Sequence, residues 1–233
     1  MQTNPTSSPL DNPIWHALTG RDQDKNDGTE SIAWLKADIA PFIGMPVWDA
    51  SSQHALLKTA PQGRNWFLLI ADEVRFIDPF EVVFSIPLYQ FVCTKLPTTA
   101  PAANDEAVVP LNSGHVEEMI ALTSLTKPGP FTKRTIEFGN YHGIFREGKL
   151  VAMGGERLHI PPFTEVSAIC THPDYQGHGY GARITHHLAQ LVIKKGETPF
   201  LHARVDNAKA INLYKRLGFE IRKEICFYIF RKK

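Results

Sequence analysis

The residues best suited to chemistry lie in one short run, Gln176-Gly177-His178-Gly179-Tyr180-Gly181. Glycines adopt positive φ at little cost and let a ligand come close to the backbone. Directly after them Ile184, Leu188, Leu191 and Val192 recur at i, i+4, i+7 and i+8, so the run opens a helix. A helix start carries unpaired N–H groups and the positive end of the peptide dipoles. The run is therefore either a cradle for phosphate oxygens or a tight strand-to-helix turn. Gly177-x-Gly179-x-x-Ala182 also satisfies a dinucleotide fingerprint, with Asp206 lying 24 residues past Ala182 where a ribose-binding acid would stand. Against that reading, Gly177 stands several residues beyond the strand end at Thr171, and too little chain follows to complete a doubly wound sheet. No Gly-Lys-Ser/Thr follows, so a Walker loop is excluded.

Other reactive residue types give weaker patterns. The three cysteines, Cys93, Cys170 and Cys226, are far apart and odd in number. They indicate small buried side chains in a reducing compartment, not a disulfide framework or a metal site. Cys170 has no base beside it in sequence, so a covalent acyl-cysteine route is not expected. His172, His178, His186 and His187 are rich in metal-ligating atoms, but His186 and His187 are adjacent and cannot share a helix face. No metal is expected.

The elements that must position these residues follow from pattern. Thr164–Thr171 reads as a strand rich in small and branched residues, which Pro173 stops. A helix runs from about 180 to 195 and ends at Gly196. Phe200–Val205 is a strand, Ala208–Leu217 a helix closed by Gly218, and Glu224–Phe230 a last strand. Upstream, Asn112 or Ser113 caps a helix that carries Val116, Met119, Ile120 and Thr123 on one face and ends before Pro128. A loop, Lys127–Arg134, leads to strands Tyr141–Phe145 and Lys149–Arg157 around the hairpin turn Arg146-Glu147-Gly148. The order is αββ, then βαβαβ. The N-terminal part is less informative: Asp11-Asn12-Pro13 opens a helix into Ile14–Leu18, and Trp66–Ile70 and Val82–Leu96 read as strands. Pro87 places part of the second strand at an edge or a bulge. The proline-rich stretch 96–110 reads as a linker between residues 1–95, an α/β region of unassigned role, and residues 105–233.

At this point a resemblance becomes specific. The stretch from Val166 through Gln176 to Ala182 resembles the acetyl-CoA-binding motif of the GNAT superfamily of N-acetyltransferases, whose Gln/Arg-x-x-Gly-x-Gly/Ala pattern is met by Gln176, Gly179 and Gly181. Asn207-Ala-Lys-Ala-Ile-Asn-Leu-Tyr-Lys-Arg-Leu-Gly-Phe219 resembles the family's second signature. The resemblance covers residues 105–233. It implies an α/β (α+β) fold with a mixed, mostly antiparallel central sheet splayed between two parallel strands and flanked by helices. Residues 1–95 are then either separate or a degenerate second copy of that fold. It also implies acetyl-CoA as acyl donor, its diphosphate on the backbone of Gln176, Gly177, His178, Gly179, Tyr180 and Gly181. The pantetheine arm would add to the strand at Ile169, Cys170 and Thr171. His178 occupies a position often basic in the family and would touch a phosphate. Attack by a primary amine on the thioester needs a base. Glu165, 11 residues before Gln176, has the spacing of the family's base glutamate, the alternative being a charged residue at a water-facing strand edge. Glu137 and Glu156 are further candidates. A backbone N–H near Ile169 or Cys170 would hold the oxyanion. Tyr214 has the position of the general acid, or is a core aromatic one turn from Ile211; Asn207 is a helix cap beside the same site. The acceptor is an unidentified small amine or protein amino group, chosen by residues 113–139 and the last strands, and Lys127, Lys133 and Arg134 disfavour a strongly cationic one. The alternatives to an enzyme of this kind are an acyl-CoA-binding sensor without turnover and a dinucleotide-binding enzyme.

Composition bounds these readings. Lys+Arg 25 against Asp+Glu 24 gives a formal charge of +1, which supplies no global field for nucleic acid. The chain is 43% hydrophobic and 21% charged, as in globular proteins. No apolar run approaches the ~18 residues of a membrane helix. The polar, proline-punctuated start, MQTNPTSSPLDNP, does not read as a secretory signal, so a cytoplasmic protein is expected. Self-association as a homodimer stays open.

Overall fold

The structure, a computed structural model, describes residues 8–99, 101 and 106–233. Residues 1–7 of the polar start and residues 100 and 102–105 of the proline-rich stretch lie outside the described residues. In chain order the elements are helix α1 (Pro13–Leu18), the short strands β1 (Ala33–Trp34) and β2 (Ile43–Gly44), helix α2 (Ala50–Thr59), and strands β3 (Trp66–Ile70), β4 (Phe80–Cys93) and β5 (Val109–Pro110). Helix α3 (Val116–Thr126), strands β6 (His142–Arg146), β7 (Lys149–Ile160) and β8 (Phe163–Thr171), helix α4 (Tyr180–Lys194), strand β9 (Thr198–Arg204), helix α5 (Ala208–Arg216) and strand β10 (Phe219–Lys232) follow.

β1 and β2 pair only with each other; the other strands form one eight-stranded sheet in the order β3-β10-β4-β9-β8-β7-β6-β5. Every neighbouring pair is antiparallel except β8 with β9. This is the mixed, mostly antiparallel α/β sheet expected, and it excludes the parallel doubly wound sheet that a dinucleotide site requires. The stretch 96–110 does not separate the strands into two sheets. β4 lies between β10 and β9, so strands from both sides of that stretch alternate in one sheet, and residues 33–93 build no second copy of the sheet. The reason is geometric. The stretch after Cys93 carries the chain from β4 to β5, five strand spacings or ~24 Å away, within reach of a dozen or so extended residues. Prolines suit such a crossover as well as they suit a domain linker.

β4 pairs with β10 along its whole length but with β9 only over Leu88–Val92. Phe80–Pro87 is thus an edge, and Pro87, which has no N–H to give, stands where β9 runs out. β10 is twice the length of the expected strand Glu224–Phe230 because the ladder with β4 already begins at Phe219 and runs on to Lys232, with Lys223 and Glu224 facing Gln90 and Tyr89. α2 has no clear apolar stripe and was not legible; it buries only Gln53 and Leu56 and is capped by Asp49, which accepts from the Ser52 N–H at 2.7 Å.

Helices α4 and α5 cover one face of the sheet, α1 and α3 the other. Ile184, Leu188 and Val192 of the predicted stripe pack on Ile144, Val151 and Val166, with Leu191 half-buried at the margin. Leu201 of β9 meets Tyr214 and Leu217 of α5, whereas its neighbour Phe200 meets the α1 cluster. Gly154 and Gly155 let both layers approach β7: a Cβ at Gly154 would lie 2.8 Å from Ile184, and one at Gly155 2.4 Å from the Tyr141 ring.

Candidate active site

β8 and β9 hold together only where Phe163, Thr164 and Glu165 face Thr198, Pro199 and Phe200. Beyond Glu165 they diverge. β8 bends there through a bulge: Met153 faces Cys170 and Gly155 faces Ser167, so Ala168 and Ile169 share one opposing residue, and Ala168 takes φ +54°. The backbone of Ser167–Thr171 on the β9 side has no strand partner, and a cleft of about 920 Å³ opens between it and His202–Arg204.

The glycine run closes one end of this cleft. Pro173 stops β8 and starts a 3-10 turn, Pro173–Tyr175. Gly177 (φ +86°) and Gly179 (φ +78°) then turn the chain into α4, with Gly179 as its N-cap. A Cβ at Gly177 would touch nothing within 4 Å, so the requirement for glycine there is conformational. The first-turn amides of Tyr180, Gly181 and Ala182 have no intrahelical acceptor. Gln176, Gly177, Gly179, Tyr180, Gly181, Ile169, Cys170 and Thr171 all line the cleft. His178 does not. Its ring stacks on Tyr180 at 5.7 Å, and Nδ1 lies 3.1 Å from the Gln176 carbonyl and 3.2 Å from that of Tyr175, so it braces its own loop.

α5 supplies the far wall. Asn207 lines the cleft and accepts from the Ala210 N–H at 3.1 Å, which is the capping role expected. Lys209 Nζ donates to Gln176 Oε1 at 3.0 Å and ties α5 to the glycine loop. Tyr214 also lines the cleft, its ring edge-on to Phe91 at 5.8 Å. Burial pushes its phenol up to about 12, so it enters the cleft as a neutral hydrogen-bond donor. Burial likewise pushes the Cys170 thiol up to about 11, which leaves ~10⁻⁴ of it as thiolate at pH 7 and removes it as a nucleophile.

Glu165 lies on the cleft floor but faces no water; it is 1% exposed. Both carboxylate oxygens are engaged. Arg157 donates Nε to Oε2 at 2.7 Å and Nη2 to Oε1 at 2.5 Å, and His202 Nδ1 donates to Oε1 at 2.7 Å. Burial alone would raise this carboxyl; the Arg157 charge and the hydrogen bonds from His202 and Arg157 overturn that and hold it at about 2. A carboxylate so held is a poor proton acceptor near neutral pH. The network continues inward. Arg222 Nε donates to Gln90 Oε1 at 2.5 Å, so the Gln90 amide nitrogen faces the Leu10 carbonyl (2.9 Å) and His202 Nε2 (3.0 Å). With Nε2 accepting there, His202 carries its proton on Nδ1. The other two glutamates considered lie elsewhere. Glu137 is exposed and forks with Arg134 at 2.5 and 2.8 Å. Glu156 is buried outside the cleft, bound by Lys195 at 2.7 Å, Asn140 at 2.8 Å and His159 at 3.2 Å.

The histidines also separate. His186 Nε2 bonds the Pro97 carbonyl at 2.7 Å, His187 packs on His142, and no group of three metal-ligating side chains converges among the described residues. Sequence reasoning missed Arg157, His202 and Gln90, and also the apolar residues Phe42, Leu69, Phe84, Ile86 and Phe227, which line the end of the cleft away from the glycine loop. These side chains meet through long-range strand pairing and carry no local signal.

A family model described as FR47-like protein matches residues 141–228, which contain β8, the glycine run and α5. A solved structure of a GNAT-family protein from Novosphingobium aromaticivorans superposes with a TM-score of 0.88 at 31% identity, over 97% of this chain and 100% of that one. The chain belongs to the GNAT family. Its splayed strands and glycine-capped α4 are therefore the GNAT sheet and GNAT loop, with β4 as a strand contributed from the N-terminal side. Two curated relatives match over shorter stretches. The mycothiol acetyltransferase of Mycobacterium sp. (strain JLS) is 35% identical over 79 residues, 32% of this chain and 26% of that protein. The N-alpha-acetyltransferase RimI of Mycobacterium tuberculosis is 39% identical over 84 residues, 35% of this chain and 52% of that protein. This chain thus matches only about a quarter to a half of those relatives' lengths.

Proposed function

We propose that the protein is an acetyl-CoA-dependent N-acetyltransferase that moves an acetyl group to a primary amine by direct attack. One observation carries the reading: the gap between β8 and β9 opens at the N-terminus of α4, so an unpaired strand edge and a set of unpaired amides face one cleft. An elongated ligand with a diphosphate at one end and an amide-bearing arm fits both, by anion binding at the helix start and strand addition along Ile169–Thr171. Gln176, Gly177, Gly179, Tyr180 and Gly181 would hold the diphosphate, and the flanking cations Lys209 and Arg216 suit its charge.

In the reaction the amine nitrogen bonds to the thioester carbon, the carbonyl pair moves onto oxygen, and collapse breaks the C–S bond. A backbone N–H at Ile169 or Cys170 faces the developing oxyanion. Tyr214 serves the leaving sulfur. With a phenol near 12 and a thiol near ~8.5, complete proton transfer is uphill by about 5 kcal/mol, so Tyr214 acts as a hydrogen-bond donor to the thiolate. Glu165 is a positioning residue: it fixes Arg157 and His202 at the floor, and the proton of the amine leaves by water at the cleft mouth. Among the described residues no helix is long and apolar enough to cross a membrane, and all three cysteines are free, which suits a cytoplasmic enzyme.

The locked state of Glu165 also favours a second reading, an acyl-CoA-binding module without turnover. Calorimetry with acetyl-CoA, CoA and NAD, followed by thiol release in the presence of an amine panel, separates them. Acetyl-CoA binding with amine-dependent thiol release is expected. Binding without release under every acceptor establishes the binding module, and absence of binding refutes both.

A further inference from the structure

The cleft extends beyond the gap between β8 and β9, and its far end is built differently from the glycine-loop end. There the wall is the face of β3, β10 and β4 that presents Leu69, Phe227, Ile86 and Phe84, with Phe42 above. These side chains stand side by side because Leu69 faces Phe227 and Phe227 faces Ile86 across the ladder. Leu69 and Phe42 are buried, while Phe84 remains 44% exposed at the open edge of β4. Such an aromatic and aliphatic wall continuous with the reaction site has the character of a small-molecule pocket.

Charge narrows what it takes. Glu165 is the one carboxylate lining the cleft among the described residues, and its two oxygens belong to Arg157 and His202. Arg157 is paired with Glu165 and Arg204 with Asp206, while Lys209 and Arg216 flank the proposed diphosphate, so the lining offers an amine no free carboxylate and Lys127 adds a positive charge. A polycation would meet repulsion and find no free acid to bind. A single amine on an apolar body loses less, because its body buries against the wall. The same burial disfavours the ammonium form and yields the neutral amine that attacks.

Resting on the proposed acetyl transfer, we infer that this apolar arm is the acceptor site and that the acceptor is a small monoamine carried on an aromatic or branched aliphatic body. The test uses the full chain. 2-Phenylethylamine and isopentylamine are compared with spermidine and with an alanine-led tetrapeptide by thiol release at saturating acetyl-CoA. Binding of 2-phenylethylamine is measured by calorimetry without acetyl-CoA, so the arm is examined even if transfer fails. The apolar monoamines should have kcat/KM at least tenfold above spermidine and the peptide. Phe84→Asp and Ile86→Asp, on a strand edge that tolerates polar residues, should raise KM for 2-phenylethylamine tenfold or more while leaving the acetyl-CoA Kd within twofold. Equal or better use of spermidine or the peptide overturns the inference. So does an unchanged KM in both folded variants, or transfer from a medium-chain acyl donor exceeding that from acetyl-CoA, which would assign the arm to the acyl chain. Loss of acetyl-CoA binding in the wild type, with 2-phenylethylamine still bound, would refute the transferase reading and leave the arm as an amine site.

Discussion

Replacing Glu165 by Gln separates a positioning carboxylate from a catalytic base. The substitution keeps the shape, removes the charge, and leaves Arg157 buried beside a neutral amide. Two routes give the size of the effect. The folded carboxyl sits at about 2 against an ordinary 4.5, a difference that corresponds to about 3 kcal/mol of stability. Removing one partner of a buried ion pair typically costs about 3–5 kcal/mol. For a chain of this length a loss of about 3 kcal/mol corresponds to a Tm lower by roughly 6–12 °C. The sign with pH follows from the depressed value: the stabilisation is complete above 4.5 and is lost as pH falls through 2. Urea unfolding of wild type and Glu165→Gln should therefore differ by about 3 kcal/mol at pH 7, and the gap should narrow steadily below pH 4.5. Under the positioning role, the variant's residual activity at 10 °C keeps the shape of the wild-type pH–rate profile, because no titrating base has been removed. A variant as stable as wild type that loses the acid limb of that profile, the rise of rate with pH as a base is deprotonated, would refute the reasoning and restore Glu165 as the base.

The remaining predictions concern other groups. Tyr214→Phe should lower kcat by about 10²-fold and leave the acetyl-CoA Kd within twofold, measured by stopped-assay thiol release and calorimetry. Gly179→Ala, forced to φ +78°, should cost about 1–2 kcal/mol and weaken acetyl-CoA binding, whereas Gly181→Ala, whose Cβ meets nothing closer than 3.8 Å, should leave the fold unchanged by urea unfolding. His159 loses by burial but gains more from Asp22 and Glu156 and is held at about 9; its contribution is complete below pH 6.5 and lost as pH rises through 9. Wild type should therefore lose up to about 3 kcal/mol more than His159→Gln across that window, a difference that thermal unfolding at pH 6 and pH 9.5 reads directly.

What the sequence discloses is mostly local. The turn at Gly177 and Gly179 is legible because positive φ is a single-residue property, and the α4 stripe because 3.6-residue periodicity is written into consecutive positions. Pro87 reads correctly as an edge residue for the same reason. The position of β4 was hidden. Its partner β10 lies at the other end of the chain, with Phe80 facing Lys232, and no short-range signal distinguishes a strand that joins a distant sheet from one that starts its own. The ion pair of Glu165 was hidden more shallowly. Arg157 and Glu165 lie eight residues apart on the paired strands β7 and β8, so their meeting was implicit in the hairpin but depended on a register with two irregularities. His202 reaches the same carboxylate from β9, across the only parallel pair of the sheet.

That geometry bears on how the site is divided. The GNAT motif residues all lie beyond position 165, and those of the glycine run line the end of the cleft where we have proposed that the donor's diphosphate binds. Phe42, Leu69, Phe84 and Ile86 come from the region before residue 95, and only Phe227 of the far wall comes from after it. The part of the chain with no recognisable motif therefore builds the apolar wall that we have proposed as the acceptor site. A motif must be locally contiguous to be seen, and a wall assembled from β3, β4 and β10 is not. Changes there alter an apolar surface without touching the hydrogen bonds of Glu165 or the turn at Gly179. On the proposed reading, donor and acceptor specificity are therefore separable by mutation: substitutions at Phe84 and Ile86 should act on KM for the amine, and substitutions at Gly179 on the donor.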